Sequence, residues 1–317
     1  MATSFSPSNS VTVTTGATFI PEIWSDEIIA AYKKNLVLAN LVMKMNFKGK
    51  KGDVVHIPAP TRGSASAKAA ETAVTLIAAT ESEVQVSINK HYEYSRLIED
   101  IVEAQALNSL RNFYTSDAGY ALAKQVDTDL VQLGRSTNGG AGTNAYATGA
   151  FIGGDGTTAY VAASNNESAL TDAAIRRTIQ RLDDTDTPMD QRFFLIPPSS
   201  RNTLMGLARY TEQAFVGGTN STIRTGEIGN LYGIPVFVSS NCDTASGSNN
   251  ARVCLMGHKD SLVLVEQVAI RSQVQYKQEY LATLFTSDTL YGVAALRSAA
   301  SVGAAKSSSM FALAVPA

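Results

Sequence analysis

Cysteine is almost absent from this 317-residue chain: Cys242 and Cys254 are the only two, and they form no C-x-x-C pair. That leaves no ligand set for a zinc ribbon and no disulfide framework, and a reducing compartment is the simpler setting. Charge is scarce too. Charged residues make up 17% of the chain, below the roughly 25% of an average soluble protein, so much of the polar surface must be Ser, Thr, Asn and Gly. Such a surface suits a subunit covered by neighbours better than a lone monomer that stays soluble through charge. A formal net charge of -2 encodes no strong pull towards nucleic acid or anionic membrane. No apolar run approaches the ~18 residues of a membrane-spanning helix, and MATSFSPSNSVTVTTGAT at the N-terminus has neither a basic nor an apolar signal region. Synthesis in the cytoplasm is therefore expected.

Signatures of chemistry are missing as well. His56, His91 and His258 lie far apart with no H-E-x-x-H or H-x-E…C-x-x-C partner, and no G-x-S-x-G elbow occurs. The acidic run DDTDTPMD places Pro188 and Met189 where a calcium loop needs a ligand and its turn glycine, and it reads as a helix end and turn. Residues 226–241, GEIGNLYGIPVFVSSN, hold Gly226, Gly229 and Gly233. A phosphate loop must sit between a strand and a helix, whereas these glycines precede the strand-like Ile234 to Val238, so they predict tight backbone turns. Lys48, Lys50 and Lys51 form a small basic cluster on a Gly-rich turn, which is ordinarily solvated. Tyr92, Tyr94, Tyr114 and Tyr120 fit packing at a domain junction rather than base stacking. No catalytic residue, no cofactor, no metal and no enzyme activity is expected.

What is present is organisation. Residues 1–18 are small and polar without periodicity and read as an arm. A helical pattern follows Pro21. GDVVHIPAP is a strand ended by Pro58 and Pro60, an edge signal, and Val84, Val86 and Ile88 alternate with Gln85 and Ser87 as a half-buried strand. Together residues 54–88 predict a long projecting hairpin, its tip carrying Arg62, Lys68 and Glu71 among Gly, Ala and Ser. These three should meet a neighbouring subunit or a decoration protein. From Asn108 as N-cap, apolar residues recur at steps of three and four to Leu133, predicting a rod helix interrupted by Gly119, a pivot that permits bending. Residues 134–156 hold eight of the 23 glycines, a loop turning at Asp155-Gly156. A helix at 172–182 after Thr171, a buried strand at 192–196, a short helix after Ser199, the strand at 234–238, a strand at 253–256 and a short helix near 258–264 form an α+β layer set. Alternation through Val268, Ile270, Ser272, Val274 and Tyr276, then an apolar run at 290–296, ends the chain in sheet.

This order resembles the major capsid proteins of tailed double-stranded DNA bacteriophages, over nearly the whole chain. GDVVHIPAP with EVQVSIN, IEDIVEAQALNSLRNFYTSDAGYALAKQVDTDL, RFFLIPPSSRNTLM and GEIGNLYGIPVFVSSN carry the resemblance. It implies the Hong Kong 97-type fold, in these residue ranges: an N-terminal arm (1–21), a peripheral domain (22–53 and 89–165, with the spine helix and the Gly-rich loop), an extended hairpin loop (54–88), an axial domain (166–266) and return strands (267–317). Gly226, Gly229 and Gly233 would then form an axial-domain turn. The resemblance further implies a homo-oligomer of pentamers and hexamers closing an icosahedral shell around double-stranded DNA, without sequence-specific contacts and without a membrane. A separate scaffolding protein, a portal and a decoration protein are the implied partners. Some relatives cross-link neighbours through a loop lysine. Lys68 is the lysine near the tip, but no motif marks a partner asparagine, and a solvated lysine is the simpler reading. A bacterial encapsulin, the same fold enclosing cargo enzyme, is the alternative.

Overall fold

The computed structural model describes residues 37–49, 51–60, 65–74, 76, 81–100, 109–136, 151–161, 164, 166–207, 229–242, 251–297 and 309–317. The expected N-terminal arm, the helix after Pro21, Arg62, Asn108 and Gly226 lie outside them, as does most of the Gly-rich loop.

The described chain builds two sheets, a two-stranded ribbon and one long helix. The six-stranded sheet runs β5-β12-β9-β6-β8-β7, from β5 (Phe151–Ile152), β6 (Arg192–Ile196), β7 (Asn230–Leu231), β8 (Ile234–Val238), β9 (Arg252–His258) and β12 (Met310–Val315). Every residue of β6 and β12 is buried, which is why both read as unbroken apolar runs rather than alternations. One face, with Phe194, Ile196, Met256 and Leu313, packs on Ala174, Ile175, Leu182 and Leu204 of two helices, α3 (Asp172–Asp184) and α4 (Pro198–Met205). Thr171 caps α3 by accepting from the Ala174 amide at 3.3 Å, and Pro198 supplies the fixed φ at the start of α4. The other face, with Phe193, Leu195, Val253 and Leu255, meets Leu38, Leu130 and Val131.

Those last two belong to α2 (Ser109–Ser136), 28 residues and about 42 Å long. Ala118, Leu122 and Leu130 are buried along it, four and eight residues apart, with the partly buried Val126 between the last two, so that they fall on one broad face. Sequence spacing predicts a loop from Gly134 onward; in the structure Gly134 lies inside the helix. A Cβ there would meet Leu255 Cδ1 at 2.9 Å and Met310 Sδ at 3.0 Å. Close approach of the helix to the sheet, not a turn, accounts for this glycine.

The four-stranded sheet runs β1-β10-β11-β4, from β1 (Met43–Asn46), β4 (Lys90–Glu99), β10 (Leu262–Lys277) and β11 (Ala282–Ala295), with a one-turn helix α1 (Leu38–Leu41) preceding β1. Two expectations are corrected here. The helix near 258–264 is only a 3₁₀ turn at Lys259–Ser261, and Leu262 already opens β10. The strand grouping also differs: the boundary at 266/267 cuts β10, and β12 and β5 join the six-stranded sheet rather than the return strands of the other. Both are apolar segments that find a partner on the β9 side.

Candidate assembly surfaces

The ribbon pairs β2 (Val54–Pro60) with β3 (Glu81–Ser87), in register from Val54 opposite Ser87 to Pro60 opposite Glu81. Its root is anchored. Val86 and Ile88 pack with Val263 and Val265 in a small separate core, and β11 runs so close beneath that a Cβ on Gly292 would lie 2.5 Å from the Ser87 carbonyl oxygen. Its far end is bare. Residues 65–74 are all exposed, including Val74 at 67%, and Leu76 reaches 89%. Lys68 and Glu71 sit in this stretch, Glu71 at φ 61 in left-handed backbone, and the Thr72 hydroxyl donates to the Ala69 carbonyl at 2.8 Å.

A second bare region is the far half of the four-stranded sheet. Beyond Glu266, β10 loses its β1 partner, its register slips twice before Arg271, and residues 270–276 are exposed throughout. The β10–β11 tip presents Tyr280 at 64% and Leu281 at 66% exposure, with Leu281 at φ 44. This wing is stiffened by polar bonds across strands. Asp288 on β11 takes two bonds from Arg271 on β10, at 2.7 and 2.9 Å, and faces His91 Nε2 on β4 at 3.2 Å. The Arg271 guanidinium, helped by His91, holds the Asp288 carboxyl below the usual range against the opposing effect of burial. On β4, Tyr94 donates to Asp117 of α2 at 3.0 Å, and the Arg96 guanidinium lies over the Tyr94 and Tyr114 rings. The tyrosines thus pack β4 onto the helix.

Between these surfaces runs α2, which presents two carboxylates to opposite sides. Asp129 turns to the four-stranded sheet: Lys90 Nζ lies at 3.0 Å, Tyr291 donates at 2.7 Å and Gln125 at 3.1 Å. Asp127 turns to α1 and the six-stranded sheet, accepting from the Leu38 and Ala39 amides at 3.0 and 3.3 Å and from Asn241 Nδ2 at 3.0 Å. Two positions correspond to about 200° around a helix, so one short sequence step separates the two junctions. Sequence reasoning missed both. Asp127 and Asn241 are 114 residues apart, and nothing local marks them as partners.

The remaining sequence-derived sites are dispersed. Gly119 lies in the middle of continuous helix with open space where a Cβ would stand. Gly229 precedes β7, and Gly233 (φ 81) follows Tyr232 (φ 51) in the two-residue turn between Leu231 and Ile234. Positive φ at both turn positions matches the primed hairpin turn that glycine favours. His56 pairs with Glu83 at 3.0 Å and His258 accepts from the Asp260 amide at 3.1 Å, so the three histidines serve separate local roles. In the acidic run, Asp183 binds the buried Arg192 at 2.8 Å. Among the described residues no cluster of His, Cys, Asp and Glu gathers to hold a metal, and no helix is long and apolar enough to cross a membrane. Burial raises the Cys254 thiol to about 12 and pushes Cys242 up as well.

No curated protein sequence matches the chain. Solved structures do. The Mycobacterium phage Che8 structure superposes with a TM-score of 0.72 at 20% identity, over 93% of this chain and 97% of that one. The capsid structure of the cyanophage P-SCSP1u gives 0.73 at 18%, over 98% of both, and the Gordonia phage Cozz structure 0.66 at 16%, over 99% of both. At such identities the likeness shows the fold, the Hong Kong 97-type capsid fold. The sequence profile of the phage capsid family matches residues 16–302, most of the chain, which favours a viral shell over the encapsulin alternative. The chain therefore belongs to the phage capsid family, as a structural protein of the virion shell.

Proposed function

We propose that this protein is the major capsid subunit, that pentamers and hexamers of it close an icosahedral head around double-stranded DNA, and that it performs no catalysis. The observation that carries this is the division of the ribbon: a root locked onto its own sheet at Gly292 and a tip whose apolar Val74 and Leu76 have no cover. Burying such surface against another copy supplies stabilisation of roughly 25 cal/mol per Å² of apolar area. Heterologous contacts of this kind, repeated around a symmetry axis, close into rings. In this reading the peripheral domain is the four-stranded sheet with α2, and the axial domain is the six-stranded sheet with α3 and α4. Lys68 and Glu71, with Arg62, contribute the polar part of the tip contact, Gly119 is the pivot of the spine, and the turn of Gly229 and Gly233, with Gly226, belongs to the axial domain. A separate scaffolding protein, a portal and a decoration protein complete the particle, and synthesis takes place in the host cytoplasm.

The test is electron microscopy of the expressed protein beside a variant in which residues 65–74 are replaced by a short Gly-Ser link. Closed shells are expected from the parent alone, with the variant folded but unassembled. Normal shells from the variant would remove the tip from the mechanism.

A further inference from the structure

The Asp127 junction differs from the Asp129 junction in one respect with thermodynamic consequences. Every donor to Asp127 among the described residues is neutral: two backbone amides of α1 and the side-chain amide of Asn241, three residues past β8. Asn241 is itself fixed, its backbone amide donating to Ser239 Oγ at 3.1 Å and its Nδ2 lying 3.2 Å from Thr128 Oγ1. Among the described residues, several charged and titratable groups near the junction have partners of their own. Lys44, beyond α1, donates to Asn40 Oδ1 at 3.1 Å. Arg252 on β9 reaches the Cys242 carbonyl at 3.4 Å, and the Cys242 thiol stays protonated because burial raises it. On α2 itself, Asp129 faces away to Lys90. No cation among the described residues makes an ion pair with Asp127, which is only 1% exposed.

We propose that this contact is a proton-linked joint, with Asp127 as its positioning residue: any movement that parts α2 from α1 and the six-stranded sheet, and admits water to the carboxylate, releases a proton. The direction follows from linkage. Burial raises the Asp127 carboxyl above its ordinary range, partly offset by the bonds from Asn241, Ala39 and Leu38; opening returns it to the ordinary value near 4. The closed joint therefore binds the proton more tightly. Below the ordinary value both forms are protonated and pH has no leverage. Between the ordinary and the raised value, rising pH progressively favours opening, and above the raised value the effect is complete and constant. Acid closes this joint and neutral pH loosens it. Asp129, with its ammonium partner, holds the other side of the helix as the fixed attachment.

The measurement is hydrogen exchange at the Leu38 and Ala39 amides of the unassembled full-length protein from pH 4 to 7.5, corrected for intrinsic exchange. Because no shell is involved, the result is independent of the assembly reading. Protection is expected to fall severalfold as pH rises and then to level off. Asp127→Asn should abolish that pH dependence, Asp129→Asn should leave it in place, and Asn241→Ala, which keeps the carboxylate but removes one donor, should move the window to higher pH. A flat parent profile, or the same slope in Asp127→Asn, would overturn the joint. Should Asp127→Asn not fold, an unmoved window in Asn241→Ala would overturn it equally.

Discussion

Two strands of this protein, β12 and the far half of β10, use similar apolar residues for opposite ends. All six residues of β12 are buried between the helices α3 and α4 on one side and α2 on the other. The far half of β10 carries Ile270, Val274 and Tyr276, and all three are about half exposed. The first holds the subunit together. The second is surface left uncovered within the subunit, which the proposed shell would bury between copies. Stability of the fold and stability of the assembly are thus located in different strands, and substitutions should separate them.

The sharpest separation is Leu313→Ala against Val274→Ala. Leu313 is fully buried, and its truncation should cost about 2–5 kcal/mol in chemical denaturation of the subunit. Val274→Ala should change that stability by no more than about 0.5 kcal/mol while reducing shell yield. Equal losses of subunit stability would erase the distinction. A middle case is Gly292→Ala, where the new methyl meets the Ser87 carbonyl; overpacking of about 1–3 kcal/mol should appear as lost amide protection in β3, with the six-stranded sheet unaffected. The smallest effect belongs to Gly119→Ala. Open space receives the methyl, so the subunit should gain about 1 kcal/mol from helix propensity, read as a raised Tm. In the proposed shell the stiffer spine should favour one shell state, and unchanged expansion behaviour would remove the pivot.

Much of the fold was legible because its signals are local. Val84, Val86 and Ile88 alternate in sequence and are buried in the structure; the helix after Thr171 opens at Asp172; and Gly233 lies in a tight turn just before the strand at 234–238. Two further features escaped the sequence for one cause, which is long-range packing. Gly134 read as a loop because the sheet it touches is formed by residues more than 100 positions later. The run at Met310–Val315 carried a buried-strand signal, six apolar residues before Pro316, yet only its pairing with β9 places it in the six-stranded sheet. The Asp127 junction offered no signal at all, since a lone Asp in a helix and a lone Asn after a strand are ordinary surface residues until the fold joins them.

Pro58 and Pro60 have an effect beyond ending a strand. A freestanding two-stranded ribbon has two open flanks, and each is a template onto which the ribbon of another molecule can zip indiscriminately. These prolines stand two apart within β2, so they share one flank, and neither nitrogen carries a hydrogen to donate. That flank offers no amide donor at these two positions, which weakens such zipping there. In the proposed assembly, a newly made subunit with such a ribbon is a poorer template for strand addition by its siblings, which leaves side-chain contacts to carry more of the selectivity.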